Sequence, residues 1–441
     1  MRPSPIDGLT VLSVYLVLLY AVPSSLTITA LGSAGRPASL WALAATMWWC
    51  WYQLQRHASA PTRAQLVSRA LLLFLAVGIA SYAWAMLRGL PVDEVSPADN
   101  GLLRLLAWAG ILLVANDGLT SAAEFRLLLW RISWAGALLA VLGILQFLTG
   151  SSLLDWISLP GMSSDLAGLA GLDARGGFTR ASATASHPLE YGVVLCVAFP
   201  IALTLAMEDY SRSRSVRWIP AGVIAVASVL SVSRSALIGL VVGVLVLLPT
   251  WSRASRALFG ALGSALVVIV GILVPGLIGT IRGLFAGITT DPSAVSRTSS
   301  YEAATELIGR FPFVGKGFGT LLPRYHIFDN QYVLLGIELG LVGLAAFLAL
   351  FICAIVSAAS ARARAFTSLD RQLSQSLIAG IISGAVLLAF FDGLSFPMAA
   401  GTVFLVLGLC GSARRLLGES WLPSDSANRN PIDVEAVFVR E

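Results

Sequence analysis

The chain has 441 residues, of which 12% are charged and 57% are Ala, Val, Ile, Leu, Met, Phe, Trp, Tyr or Cys. An average soluble domain carries about 25% charged residues. At a mean hydropathy of +0.82, too little polar surface remains to face water, so the composition excludes a soluble multidomain protein and implies a polytopic membrane protein. The net charge is +5 and Lys316 is the single lysine, so the cations are almost all Arg. They fall between apolar runs rather than in one stripe, which argues against nucleic-acid binding. Cys50, Cys196, Cys353 and Cys410 lie inside apolar runs with no CxxC or His partner. They read as small core residues, not as a disulfide frame or a metal site.

A spanning helix needs about 20 mostly apolar residues. About twelve segments qualify, near 8–30, 38–55, 66–87, 101–118, 124–148, 187–207, 217–233, 235–250, 258–281, 330–357, 374–392 and 397–412. The first run, Leu9 to Leu31, lacks a small-residue cleavage site and reads as a span rather than a signal peptide. Arg2, Arg56, Arg63, Arg69, Arg126, Arg131, Arg212, Arg253, Arg362, Arg371 and Arg414 fall in short loops on one side. The positive-inside rule makes that side cytoplasmic, with both termini inside. The expected fold is therefore all-α, a single transmembrane domain over 1–416, with a polar, flexible cytoplasmic tail over 417–441.

The opposite side carries two long loops, about 149–186 and about 282–329. Loops of that length tend to be functional. The first ends with Arg180, Thr184, His187, Pro188, Glu190 and Gly192 where a helix re-enters the membrane. Pro188 suits the first helical turn, Ser186 is a plausible cap, and the helix N-terminus beside Arg180 is an expected anion site. The plainer reading is an interfacial loop with a snorkelling Arg. Arg234, in Ser231-Val232-Ser233-Arg234, stands between two apolar runs, where a charge is costly unless paired or wetted. It is a functional candidate, against a plain hairpin whose Arg reaches headgroup phosphates.

In the second loop, Tyr301, Ala304 and Ile308 share one helical face, which predicts a short amphipathic helix that Phe311-Pro312 ends. Arg297 in its first part opposes the helix dipole and suggests an anionic ligand. Glu302 and Glu306 read as a solvated stripe. Gly315-Lys316-Gly317-Phe318-Gly319 has no strand before it and is rejected as a nucleotide motif; its glycines suit a tight, close-packed loop. His326 and Asp329 are the base candidates, with Asp329 alternatively the cap of the next helix, helped by Asn330. Gly336, Gly340 and Gly343 read as small residues for close helix packing.

These segments resemble the O-antigen ligase and polymerase superfamily of bacterial inner-membrane glycosyltransferases. The matching pieces are Arg180…Thr184-x-x-His187-Pro188…Gly192, Ser231-x-Ser233-Arg234-x-Ala236, Arg297…Pro312-x-x-Gly315-x-Gly317-x-Gly319, and Asn330…Glu338-Leu339-Gly340-Leu341-x-Gly343. The resemblance covers roughly 175–350 and the span pattern. It implies a bundle of many helices, with a periplasmic amphipathic-helix loop over a cavity. It also implies glycan transfer from a polyprenyl-diphosphate-linked oligosaccharide donor to a glycan or lipid acceptor, with no metal and no cofactor. Envelope polysaccharide assembly proteins and membrane lipids are the expected partners. Many members carry His just before the helix-opening Asn; here it is Asp329, which favours a polymerase over a lipid A-core ligase.

On this reading Arg180, Arg234 and Arg297 hold the diphosphate, with His187, Asn330 and Lys316 as further substrate contacts. Asp329, or failing it His326, takes the acceptor proton. The alternatives are a protein O-oligosaccharyltransferase and, further off, a lipid-linked glycan flippase. Transport predicts ionisable residues near the membrane midplane, and apart from Asp392 and Glu338 the candidates collect at one face.

Overall fold

A computed structural model describes residues 7–55, 65–154, 157, 159–164, 174–175, 178–274, 276, 279 and 292–417; for 164, 174, 175, 178 and 292–300 it describes the backbone alone. The helices in its first half are α1 (Gly8–Ala21), α2 (Pro37–Gln55), α3 (Leu66–Leu87), α4 (Val92–Asp117), α5 (Ala122–Thr149), α6 (Pro188–Glu208) and α7 (Arg214–Leu230). There follow α8 (Arg234–Leu247), α9 (Arg253–Leu273), α10 (Pro292–Arg310), α11 (Gln331–Glu338), α12 (Gly340–Arg364), α13 (Ser368–Leu388) and α14 (Pro397–Leu416). Among the described residues eight helices, α3, α4, α5, α6, α9, α12, α13 and α14, are long and apolar enough to cross a membrane. The protein is an all-α polytopic membrane protein.

A helix occupies each of the twelve expected segments, but several boundaries differ from expectation: α4 begins at Val92 rather than 101, α9 at Arg253 rather than 258 and α13 at Ser368 rather than 374. The first span was expected to reach residue 30; α1 stops at Ala21. Val22 precedes Pro23, which pushes it into extended backbone. The chain then forms β1 (Leu26–Ile28), antiparallel to β2 (Met162–Ser164) of the first long loop. The expected span 330–357 is broken at Leu339, because Gly340 takes φ +69°. The tail beyond Leu417 lies outside the described residues.

Local chemistry sets the helix ends. Ser121 accepts from Glu124 N, and Glu124 reaches back to Thr120 N at 2.7 Å, a close variant of the capping box. Gly150, at φ +68°, closes α5. Helices α6 and α14 are the most buried of the long helices, whereas α9 is almost wholly exposed. Thr46 donates to Leu106 O at 2.9 Å, an approach of α2 to α4 that a side chain on Gly110 would block.

The bundle has two unlike ends. One holds most of the short-loop arginines, and there Arg126 makes a two-pronged contact to Asp370, with Nε–Oδ1 at 2.8 Å and Nη2–Oδ2 at 2.6 Å. The other, the loop face, carries β1, β2, α10 and the connections leading into α6, α8, α11 and α14.

Candidate functional site

Three groups of side chains gather on the loop face. The first surrounds the start of α6. His187, not Ser186, is the N-cap: its Nδ1 accepts from Leu189 N at 3.1 Å. Ser186 instead donates through N and Oγ to Glu190 Oε2, both at 2.9 Å. The same oxygen accepts from Ser24 Oγ at 3.0 Å, and Oε1 accepts from Met398 N at 2.6 Å. Glu190 is fully buried and ties the β1 approach, α6 and α14 together. Pro188 has no N–H and His187 takes Leu189 N, so the helix end has less to offer an anion than its sequence suggests.

Upstream, Ala183 sits at φ +52°, a conformation costly for a residue with a Cβ. Gln146 of α5 holds it from both sides: Nε2 donates to Ala183 O at 3.1 Å, and Oε1 accepts from Ala183 N at 2.7 Å. Thr184 Oγ1 donates to Tyr20 O at 2.6 Å. These bonds fix the segment that follows the buried Arg180.

The second group is the turn between α7 and α8. Val232 is buried at φ +48°, strained for a β-branched residue. Ser231 Oγ donates to Ser228 O at 2.7 Å, and Ser233 caps α8, so the two serines of the motif build the turn. Arg234 is the first residue of α8 and is half-buried. Ala236 packs on Gly192 of α6, and Ser383 Oγ of α13 donates to Gly239 O at 3.0 Å.

The third group is built by the second loop. Ala304, Leu307 and Ile308 of α10 pack on Phe328, Val333 and Ile337, as an amphipathic helix should, whereas Tyr301 is exposed. Glu302 and Glu306 are exposed. After Pro312 the glycine string docks on the α11–α12 break. Gly315, Gly317 and Gly319 all have positive φ, and a Cβ on Gly315 would overlap the Glu338 carbonyl. Lys316 N and Gly317 N donate to Ile337 O and Glu338 O, both at 2.8 Å, answering carbonyls left over at the end of α11.

That docking encloses a cavity of about 270 Å³ lined by Arg104, Phe318, His326, Gln331, Glu338 and Asp392. Glu338 Oε1 accepts from Leu321 N at 3.3 Å. Asp392, in the connection before α14, is pushed up to about 6 by burial, with the charge of Asp329 adding to the rise. A Ser395 hydrogen bond and the charge of Arg104 oppose it. Asn330 caps α11, accepting from Tyr332 N at 3.0 Å and Val333 N at 3.4 Å. Asp329, the alternative cap from sequence, therefore stands just outside the helix.

A second cavity, of about 510 Å³, lies on the other side of His326 and Leu321, lined by Glu94, Glu306, Arg310, Lys316 and Tyr325. There Lys316 differs from expectation. Its Nζ is 2.7 Å from Oε1 of buried Glu94, which also accepts from Tyr325 Oη at 2.8 Å. Its charge is answered by the protein itself, and with the Arg324–Asp93 pair it fastens the second loop to α4.

The structure thus brings His326, Asp329 and Asn330 to one place. Arg180 and His187 form a separate group, linked through the His187–Phe396 ring contact to the connection that carries Asp392. Arg297 lies on α10, and its side chain is outside the described residues. Sequence reasoning passed over Arg104 and Gln331. Arg104 carried a usable signal, a cation inside an apolar span. Among the described residues no three His, Cys, Asp or Glu side chains are grouped so as to hold a metal ion.

Residues 219–348 match the family model described as O-antigen ligase. The match runs from α7 into α12 and takes in Arg234, Arg297, His326, Asp329 and Glu338, but not Arg104, Arg180 or Asp392. No curated protein matches the chain. The protein is thus a multi-pass helical membrane protein that carries a segment of the O-antigen ligase family.

Proposed function

We propose that the chain transfers a glycan from a polyprenyl-diphosphate-linked donor to a hydroxyl of an acceptor glycan, at a loop face that looks into the periplasm. Polymerisation of repeat units for O-antigen, capsule or exopolysaccharide is favoured over ligation to lipid A-core. The observation that carries the reading is the loop-face cavity where His326, Asp392 and Arg104 meet beside Asp329.

In the reaction the acceptor oxygen attacks the anomeric carbon of the donor. The bond from that carbon to the diphosphate oxygen breaks, and its electron pair leaves with polyprenyl diphosphate. Asp329 takes the acceptor proton. Arg180, Arg234 and Arg297 hold the diphosphate, whose charge grows as the bond breaks; such fixed cations are commonly the largest catalytic contribution. The chemistry needs no metal or cofactor.

The distribution of Arg over short loops supports cytoplasmic termini. Cysteines placed at positions 320 and 425 test this: in intact spheroplasts an impermeant reagent should label only the first. Deleting the gene tests the activity. Repeat units that stay single indicate a lost polymerase, long chains not attached to lipid A indicate a lost ligase, and an unchanged glycan profile would rule out both.

A further inference from the structure

The smaller cavity contains two buried donors that the fold leaves without partners. Gln331 is 1% exposed, and its Oε1 accepts from Leu394 N at 2.7 Å, which fixes the amide orientation. Its Nε2 has no hydrogen-bond partner, and neither has Nε of Arg104. Buried donors are nearly always satisfied, so two of them lining one cavity point to a ligand that offers acceptor oxygens.

The same walls carry two carboxyl groups, Glu338 and Asp392. A diphosphate placed between them would meet like charge and be disfavoured. A sugar ring would not, because each hydroxyl both donates and accepts: it can take a bond from Gln331 or Arg104 and give one to a carboxylate. Phe318 and Phe328 supply apolar wall for a ring face. At about 270 Å³ the cavity sits at the low end for small-molecule sites, with room for one ring rather than a whole repeat unit.

We propose that this cavity, through Gln331, Arg104, Glu338 and Asp392, binds the terminal neutral sugar of the acceptor glycan. The inference rests on the proposed transfer reaction and assigns one of its two substrates to a place. The donor's reacting sugar must stay next to its diphosphate, which the carboxyl groups keep away. The acceptor's end carries no such charge. Asp329 directly follows Phe328 of the cavity wall, which sets it beside the acceptor hydroxyl it is to deprotonate.

The test uses purified full-length protein in lipid nanodiscs, with a polyprenyl-diphosphate-linked repeat unit as donor and a soluble glycoside of the repeat unit as acceptor. Gln331→Leu removes the unpartnered donor, and Leu334→Phe, at another residue of the cavity wall, fills the space without removing a hydrogen bond. Gln331→Leu should raise the acceptor KM about tenfold, the size of one good hydrogen bond, and Leu334→Phe, which occludes the site, should raise it further, each with a smaller change in the donor KM. A rise in the donor KM instead, or no change in either, overturns the assignment. If Gln331→Leu is not obtained folded, Leu334→Phe decides alone.

Neutral methyl pyranosides, titrated calorimetrically into the wild-type protein, separate this inference from the reaction it rests on. Binding that Leu334→Phe abolishes supports the sugar site even where no transfer is seen. No binding by any pyranoside, or binding that Leu334→Phe leaves intact, overturns it.

Discussion

Asp329 and Asp392 come from connections on either side of the α11–α13 segment, yet the charge of Asp329 is among the causes that hold the Asp392 carboxyl near 6. Burial is the larger cause, and the Asp329 charge adds to it. A carboxyl raised in this way beside a cavity marks a candidate functional group.

Asp329→Asn should abolish glycan transfer, while His326→Ala should cost less. Because Asn330 caps α11, replacing Asp329 removes no cap, and stability should change by no more than about 0.5 kcal/mol. Transfer assays and thermal unfolding of the same preparation check both halves. Near-normal turnover by the Asp329→Asn enzyme would move the base to His326 or Asp392.

Arg234→Lys should lose at least about tenfold in activity with near-normal expression. Lys keeps the charge but not the planar fork that grips two phosphate oxygens. The serine-built turn and the strained Val232 hold Arg234 at the start of α8, so the backbone itself should be unaffected. If Lys works as well as Arg, the residue contacts lipid headgroups rather than the donor.

Lys316 and Glu94 should behave as one structural unit. Removing one partner leaves a buried charge and should cost about 3–5 kcal/mol; the double variant Glu94→Gln, Lys316→Met should cost less than the two single changes added. Denaturation of all four proteins measures the coupling. Additive losses would release Lys316 for a substrate role.

Asp392 links stability to pH. Its folded pKa of about 6 lies above the unfolded value of 3.8, so the folded state resists ionisation. The associated stability is fully present below pH 4 and is lost as pH rises through 6. The stability difference between wild type and Asp392→Asn should therefore move by on the order of 2–3 kcal/mol across that window. A pH-independent difference between the two melting curves would contradict the assignment.

Much of this architecture can be read along the chain, because span length and helix periodicity are local properties. The face of α10 was legible through Ala304 and Ile308, though Tyr301 turns outward. The glycine string was read correctly as a close-packing loop, but its partner, the α11–α12 break, was not, since a backbone-to-backbone contact leaves no side-chain pattern. The cap of α6 is His187 rather than its neighbour Ser186, and of the two residues offered for α11 it is Asn330 and not Asp329 that caps, since adjacent residues can serve equally and packing decides. The candidate site was only half visible. Asp329 and His326 stand in one motif, whereas Arg104 and Asp392 reach the cavity from α4 and the connection before α14.

Reconstitution tests the central claim most directly. Purified protein in nanodiscs, given a polyprenyl-diphosphate-linked repeat unit, should convert it into glycans of increasing length with release of polyprenyl diphosphate, both followed by mass spectrometry. The Asp329→Asn protein should produce neither. Wild-type protein that leaves the donor intact in the presence of an acceptor glycan, or an Asp329→Asn protein that matches it, would contradict the account.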